Sequence, residues 1–456
     1  MKAARTPAWQ RASTHRLALG MMPPVEMLSQ TEVLMSIAPP GMDCVQTMLC
    51  GSSANENAFK AACMAYRGAE RAAAGKGASD FTDEELTTCM TNEAPGSPDL
   101  AILSFDGGFH GRTLGAVSCT HSKALHKVDV PTFDWPSAPF PQLQYPFEDH
   151  VEANRAEEDR CLDAVRRIID AAKAAPAKST VAAVIVEPIQ AEGGDNHATA
   201  HFFGELRKLT AERGVYLIVD EVQTGVVASG KMWAHEHWEL PSPPDFVTFS
   251  KKAQIGGYFY PEAMQPSMPY RIFNTWMGDP AKLAHLDVIV DVIRDEKLQE
   301  RTIATGHTLL AGLKTLQHKY PDTLSNARGM GTLCAVDVVD AATRDAIVQS
   351  ALDLGCLIGA CGDRGIRWRP PLTFDTVDAQ MSLDITEQAL VAVCENAPDL
   401  AQQAKAAPKA VPKVVALKAV PAVPAAAPKA AAGAVGGQRV VVASRALWGP
   451  GQRAYN

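Results

Sequence analysis

The fold of this chain is most tightly limited by the alternation of short apolar runs and amphipathic helical patterns between residues 181 and 249. The run Val181 to Val186 ends in Glu187, and a helical pattern from Phe202 to Arg213 stops at Gly214. The next run, Val215 to Val219, leads into Asp220, and a further run, Phe246 to Phe249, ends in Ser250, Lys251 and Lys252. Strands alternating with helices at this spacing predict a parallel sheet flanked by helices. Ligands of such sheets sit outside the carboxyl ends of the strands. An acid, Asp220, and an amine from the Lys251-Lys252 pair can therefore face one ligand.

Other segments extend the pattern. Leu100 to Phe105 reads as a buried strand, followed by Asp106-Gly107-Gly108-Phe109-His110-Gly111-Arg112. Glycines there permit tight turns, so Phe109, His110 and Arg112 project from a strand end. Cys50-Gly51-Ser52-Ser53-Ala54-Asn55-Glu56 reads as a capping box, with Ser53 as N-cap and Glu56 three positions on. Ala58, Ala61, Ala62 and Ala65 then keep helical spacing. Small residues ahead of a helix leave amides free for an anion. A second helix is expected over 161–173, with Leu162, Val165, Ile169 and Ala172 on one face.

The 16–50 stretch reads as loops and one short helix, 70–99 as a polar surface excursion and 130–150 as an extended connection. Beyond Gly278-Asp279-Pro280, helical patterns at 281–297 and 302–318 precede short strands near 332–338, 356–360 and 366–369. The expected division is a possible targeting segment (1–15), a large domain (16–280) and a smaller α+β domain (281–396). A tail rich in Ala, Pro and Lys (397–456) is expected to be disordered.

Charge and cysteine usage exclude several classes of function. Residues 401–456 hold eight Lys or Arg and no acid, so the body ahead of them is more acidic than the net charge of −8 indicates. Such a body does not suit a nucleic-acid face. Ten cysteines without a pairing rhythm indicate reduced thiols, and no apolar run reaches membrane-spanning length. The basic N-terminus, with Lys2, Arg5, Arg11 and Arg16 and no acid before Glu26, suits an organelle transit peptide.

Two further motifs are set aside. Gly225 to Lys231 resembles a phosphate loop, but Met232 stands where that motif requires a hydroxyl. His235, Glu236 and His237 lack the spacing that places two imidazoles on one helix face, and no metal is expected.

An anion cradle, a strand-end acid, a strand-end Ser-Lys and two glycines after it together describe one cofactor. Pyridoxal phosphate requires a lysine for its Schiff base and a carboxylate for its pyridine nitrogen. Over residues 16–392 the sequence resembles the class III pyridoxal-phosphate aminotransferases, and within them the eukaryotic 4-aminobutyrate branch. The matching motifs are GSSANENAFK, SFDGGFHGRTLGAVSCTHSKALHKVDVPTFDWPSAPFP, VIVEPIQAEGGDNH, VDEVQTG, FSKK, RIFNTWMGDP and IRWRPPL.

The resemblance implies an α/β architecture, fold type I of the pyridoxal-phosphate transferases, with a mainly parallel sheet and a smaller C-terminal α+β domain. It implies that Lys251 forms the Schiff base and Asp220 pairs with the pyridine nitrogen. Gln223 would reach the ring hydroxyl, Phe109 would stack on the ring, and Gly51 and Ser52 would hold the phosphate with Thr275 of a second subunit. Arg112 would bind the carboxylate of 4-aminobutyrate, and Arg367 would alternate between Glu192 and the α-carboxylate of 2-oxoglutarate. A homodimer and a place in the mitochondrial matrix, with cytoplasm as the alternative, follow from the same resemblance.

Three departures accompany it. The resemblance begins far into the family pattern, and residues 1–15 do not replace the segment that covers the site. Ser53 stands where a Cys-x-x-Cys would hold an iron–sulfur cluster between subunits, so no cluster held in that way is expected. Ile255 stands where the family has Thr. The alternatives implied are a truncated, catalytically impaired member and a lysine 6-aminotransferase.

Overall fold

The computed structural model describes residues 26–174 and 179–395, together with residues 7 and 10. The 397–456 tail lies outside these residues, as does the 1–15 segment apart from residues 7 and 10.

Seven strands form the main sheet: β1 (Cys44–Met48), β2 (Leu100–Phe105), β3 (Ser137–Ala138), β4 (Thr180–Val186), β5 (Tyr216–Asp220), β6 (Phe246–Phe249) and β7 (Gly256–Tyr260). Their order is β1-β7-β6-β5-β4-β2-β3. Strands β3 through β6 pair in parallel, as expected, whereas β7 is antiparallel to both β6 and β1. The sheet is thus mixed at one edge, because the chain folds straight back after Lys251. Runs such as TVAAVIV in β4 and FVTF in β6 are buried nearly throughout, as strands covered on both faces require.

Helices cover both faces. The helix α2 (Gly51–Ala73) follows α1 (Glu26–Ser36) and places Ala54, Ala58, Ala61 and Ala62 against Ile102, Ala183, Ile185 and Ile218. Small side chains let the helix axis approach the strands closely. On the other face, α3 (Val151–Ala174) and α4 (Ala200–Glu212) bury Leu162, Val165, Ile169, Phe202 and Phe203 against Val184, Val186 and Val219.

Two expected boundaries are corrected. Helix α2 begins at Gly51 with Cys50 as N-cap, three residues ahead of the expected N-cap Ser53. Ser53 Oγ instead accepts from Cys50 N at 3.1 Å, and Glu56 accepts from Gly115 N at 2.9 Å. Helix α3 begins ten residues ahead of 161, at Val151. Its first turns bury Asn154 and Glu158, which satisfy Gln144 and Thr199, so their polarity hid the helical period.

Helices α5 (Pro280–Asp295) and α6 (Leu298–Lys319) lead to a four-stranded antiparallel sheet. It consists of β8 (Leu324–Met330), β9 (Leu333–Val338), β10 (Gly359–Cys361) and β11 (Gly365–Trp368), in the order β10-β11-β9-β8. Helices α6, α7 (Ala341–Asp353) and α8 (Thr376–Glu395) pack on this sheet around Leu309, Leu313, Val336, Ile347 and Leu390.

The β6–β7 turn fixes the start of α2. A Cβ on Gly256 would lie 2.6 Å from Cys50 O and 2.7 Å from Cys50 N. Neither backbone atom can yield without moving the first turn of α2. Gly256→Ala is expected to cost ~1–3 kcal/mol through overpacking and to shift the Cys50–Ser52 backbone. Denaturant unfolding monitored by circular dichroism checks the first effect, and amide exchange at residues 50–53 checks the second.

Candidate active site

The carboxyl ends of β2, β4, β5 and β6 open on a cavity of about 360 Å3. Asp220 reaches it from the end of β5 and is 4% exposed. A buried carboxylate is tolerated only where hydrogen bonds replace its lost hydration. Here Oδ2 accepts from Asn55 Nδ2 at 2.7 Å and from His110 Nδ1 at 2.8 Å, while Oδ1 accepts from Val222 N at 3.0 Å. Thr248 Oγ1 donates to Asn55 Oδ1 at 2.6 Å, so a residue of β6 fixes the amide that fixes the acid.

Lys251 enters the cavity where β6 breaks into a short 3₁₀ turn, with φ of +47°. Its ammonium opens onto the cavity yet is surrounded by protein, and burial lowers its pKa against the opposing charges of Asp220, Glu187 and Glu192. Lys252 does not line the cavity. Burial, with Arg369 and Lys251 nearby, brings Lys252 down to about 8.

The first turn of α2 forms the opposite wall through Cys50, Gly51 and Ser52. A Cβ on Gly51 would lie 2.6 Å from Val222 Cγ1, so only glycine permits the helix start to lie against the β5 exit. Ser52 Oγ accepts from Arg112 N and Thr113 N, each at 3.1 Å, and binds the glycine turn to the helix. Phe109 lines the cavity, its N–H donating to Glu187 Oε1 at 2.9 Å. Glu187 also accepts from Ala191 N. Burial, with the nearby Asp220 charge and against that of His110, pushes its carboxyl up to about 7.

The expected carboxylate-binding groups fall in two places. Arg112 lines the cavity and has no acid partner among the described residues. Arg367, on β11, lies outside the lining and pairs with Glu192 Oε1 at 2.5 Å, its Nη1 buried without a partner. Burial acts to raise the Glu192 pKa, but Arg367, Lys123 and Lys251 outweigh it and leave the carboxyl below its ordinary range. Gln223 lines the cavity and accepts from Arg369 Nε at 2.8 Å through Oε1. That bond leaves its amide nitrogen as the free donor. Thr275 is exposed and does not line the cavity of its own chain.

Asn55, Glu187, Asp195 and Arg369 had no role assigned from sequence. Asn55 lies on α2 one turn after the cradle, and Arg369 follows Arg367 by two residues in the same run, so spacing was the available signal. Arg369 ion-pairs with Asp195, which is fully buried in a left-handed backbone conformation.

The two motifs set aside occupy structural positions. The Gly225–Lys231 segment is largely buried, with Ala228 O accepting from Thr332 N at 3.1 Å and Lys231 Nζ donating to Glu236 O at 2.9 Å. His235 is buried and donates through Nδ1 to Glu221 Oε1 at 2.8 Å. Among the described residues no cluster of three or more His, Cys, Asp or Glu is arranged to hold a metal ion.

A family model described as aminotransferase class-III matches residues 2–390. The pig protein named 4-aminobutyrate aminotransferase, mitochondrial, is 49% identical over 384 residues, covering 84% of this chain and 75% of its own. The 4-aminobutyrate aminotransferase of Dictyostelium discoideum is 46% identical, covering 87% of this chain and 78% of its own. Among solved structures, the lysine aminotransferase of M. tuberculosis in its internal aldimine form superposes with a TM-score of 0.75 at 28% identity. That superposition covers 84% of each chain.

Glu187 generates a pH test. Its folded-state pKa is raised from 4.5 to about 7, so the native state holds a proton that the unfolded chain releases. Its neutral form therefore favours folding at low pH, and that advantage is lost as pH rises from about 4.5 through 7. Wild type should lose roughly 3 kcal/mol more stability between pH 4.5 and 8 than Glu187→Gln, at ~1.4 kcal/mol per pKa unit. Parallel urea titrations at the two pH values measure the difference.

Proposed function

The chain belongs to the class-III aminotransferase family, and from that premise we propose that it transfers the amino group of 4-aminobutyrate to 2-oxoglutarate, giving succinate semialdehyde and glutamate. The supporting observation is the delivery of Asp220 and Lys251 to one cavity by adjacent parallel strands. The relatives that share nearly half of the sequence carry the same activity in their names.

The residues present fit pyridoxal phosphate. The cavity volume lies within the ordinary range for cofactor sites. Asp220 supplies a fixed acceptor for a ring N–H, and the opening amides of α2 at Gly51 and Ser52 supply donors for a phosphate at the positive end of a 23-residue helix. When bound, the cofactor supplies the electron sink that transfer of an amino group requires.

The side chains then divide the work. Lys251 Nζ, its pKa lowered by burial, takes and returns a proton. Phe109 offers an apolar face, and the Gln223 amide N–H2 donates to a ring oxygen in the orientation that Arg369 dictates. Arg112 presents an unpaired planar fork that matches both oxygens of a substrate carboxylate. Glu192 neutralises Arg367 while a ω-amino acid is bound and releases it to a 2-oxo acid with a second carboxylate.

The working form is a homodimer in which Thr275 of each subunit completes the phosphate site of the other. Leu49, Leu114 and Trp276, the chain neighbours of Cys50, Thr113 and Thr275, are exposed large apolar residues of the kind a subunit interface buries. Its place is the mitochondrial matrix, as the name of the pig relative suggests.

Borohydride reduction of the cofactor-loaded chain, followed by peptide mapping, should leave a pyridoxyl group on Lys251; label on Lys252, or none, overturns the assignment. In the same preparation 4-aminobutyrate should surpass lysine and ornithine as donor with 2-oxoglutarate. Subunit mixing tests the shared site. A hybrid of a Thr275→Ala chain and a Lys251→Ala chain should regain one complete site, which it cannot do if Thr275 serves its own subunit.

A further inference from the structure

The largest cavity among the pockets described, about 690 Å3, shares no residue with the active-site cavity. It lies along the middle of α2, bounded by the 81–98 segment, the connection through Trp135, and Arg271. Its walls are aromatic. Phe133 stacks on Trp135 with ring centres 4.8 Å apart, and Trp135 meets the edge of Phe59 at 5.9 Å. Phe81 completes the lining from the other segment.

Positive charge is in excess on these walls. The lining holds Lys60, Arg67, Arg71 and Arg271 against Glu56 and Glu85, with Arg67 also paired to Glu70 outside the lining at 2.5 Å. Glu85 serves two of the cations, accepting from Arg71 at 2.7 Å and Arg67 at 3.1 Å, and it also accepts from Thr82 N. Glu56 is tied to Gly115 N. Arg271 has no acid within ion-pair distance among the described residues, and Arg71 Nε is buried without a hydrogen-bond partner.

Both guanidinium groups lie over Phe81, that of Arg71 at 4.7 Å and that of Arg271 at 5.3 Å from the ring centre. Burial, reinforced by the Arg71 charge, holds Arg271 below its ordinary pKa. Two like charges over one ring, Arg71 sharing its acid with Arg67 and Arg271 having none within ion-pair distance among the described residues, are relieved by an anion that also carries apolar surface.

We propose that this cavity is a binding site for an aromatic carboxylate, held at its carboxylate by Arg271 and Arg71 and at its ring by Phe59, Phe81 and Trp135. The planar fork of arginine suits a carboxylate. Enclosure by aromatic walls suits a flat body of the size such a cavity admits.

Calorimetric titration of the cofactor-loaded full chain with 2-naphthoate tests this inference. One saturable site per chain is expected, weakened about tenfold or more in Arg271→Gln, as loss of a charge-assisted hydrogen bond requires. The neutral isostere 2-naphthamide should bind the unaltered protein about tenfold more weakly or worse, which separates charge from shape without any substitution. Arg112→Gln should leave 2-naphthoate binding as it was. The proposal is overturned by equal affinity for acid and amide, by undiminished binding in Arg271→Gln, or by loss of binding in Arg112→Gln, which places the probe in the active site. Absence of binding at millimolar probe also overturns it, since the cavity is then closed in the assembled protein.

Discussion

The buried carboxylate of Asp220 is the interaction around which the site is built. An unsatisfied carboxylate at that depth would be several kcal/mol unfavourable, so its donors are as constrained as the acid. Asn55 comes from α2, His110 from the turn after β2, and Val222 from the exit of β5, while Thr248 of β6 holds Asn55 from behind. Four separate segments are therefore registered on one side chain. The cavity lies at the meeting of these segments, with Asn55, His110, Asp220, Val222 and Lys251 all in its lining.

A second set of buried charges joins the main sheet to the antiparallel one. The loop carrying Glu192 and Asp195 meets β11 and its exit through Arg367 and Arg369. Arg328 of β8 anchors the same loop by donating to Asp195 O at 2.8 Å and to Gly194 O, and is itself held by Asp337 of β9. Removing one partner from such a cluster strands the others in a medium that solvates them poorly. Because Arg369 also holds Gln223, the orientation of an amide at the main-sheet cavity depends on where the second sheet sits. Packing between the sheets and the donor pattern of the site are one property.

The parts of this architecture legible in the sequence were those with a strong local period. Strand β2 ran over the expected residues, and β4, β5 and β6 fell within a residue of expectation, since fully buried strands carry unbroken apolar runs. Strands β1 and β7 were not legible. CVQTM lacks alternation and pairs only with β7, more than two hundred residues away, and GGYFY opens with two glycines and is held between β6 and β1. Likewise LSNARGM, in β8, contains a bulge and Asn326 at φ +55°. At the site, motif resemblance supplied the residues that stand at strand and helix ends. The residues behind them, Asn55, Glu187, Asp195 and Arg369, serve through contacts between distant segments; spacing could point to Asn55 and Arg369 but not to the partners they hold.

The two adjacent lysines illustrate why a perturbed pKa cannot by itself choose a reactive group. Lys252 is depressed to about 8 because it is buried beside Arg369 and Lys251, with no acid among the causes of its shift. The Lys251 pKa is lowered too, by desolvation, but Asp220, Glu187 and Glu192 each favour its charged form. The acids that counter its depression are the groups that define the active-site cluster. A lysine that must exchange protons beside an anionic site is held between burial and charge, and its place in the cavity identifies it. The positive φ of Lys251 turns the chain at the end of β6 so that this side chain, rather than the next, enters the space in front of Asp220.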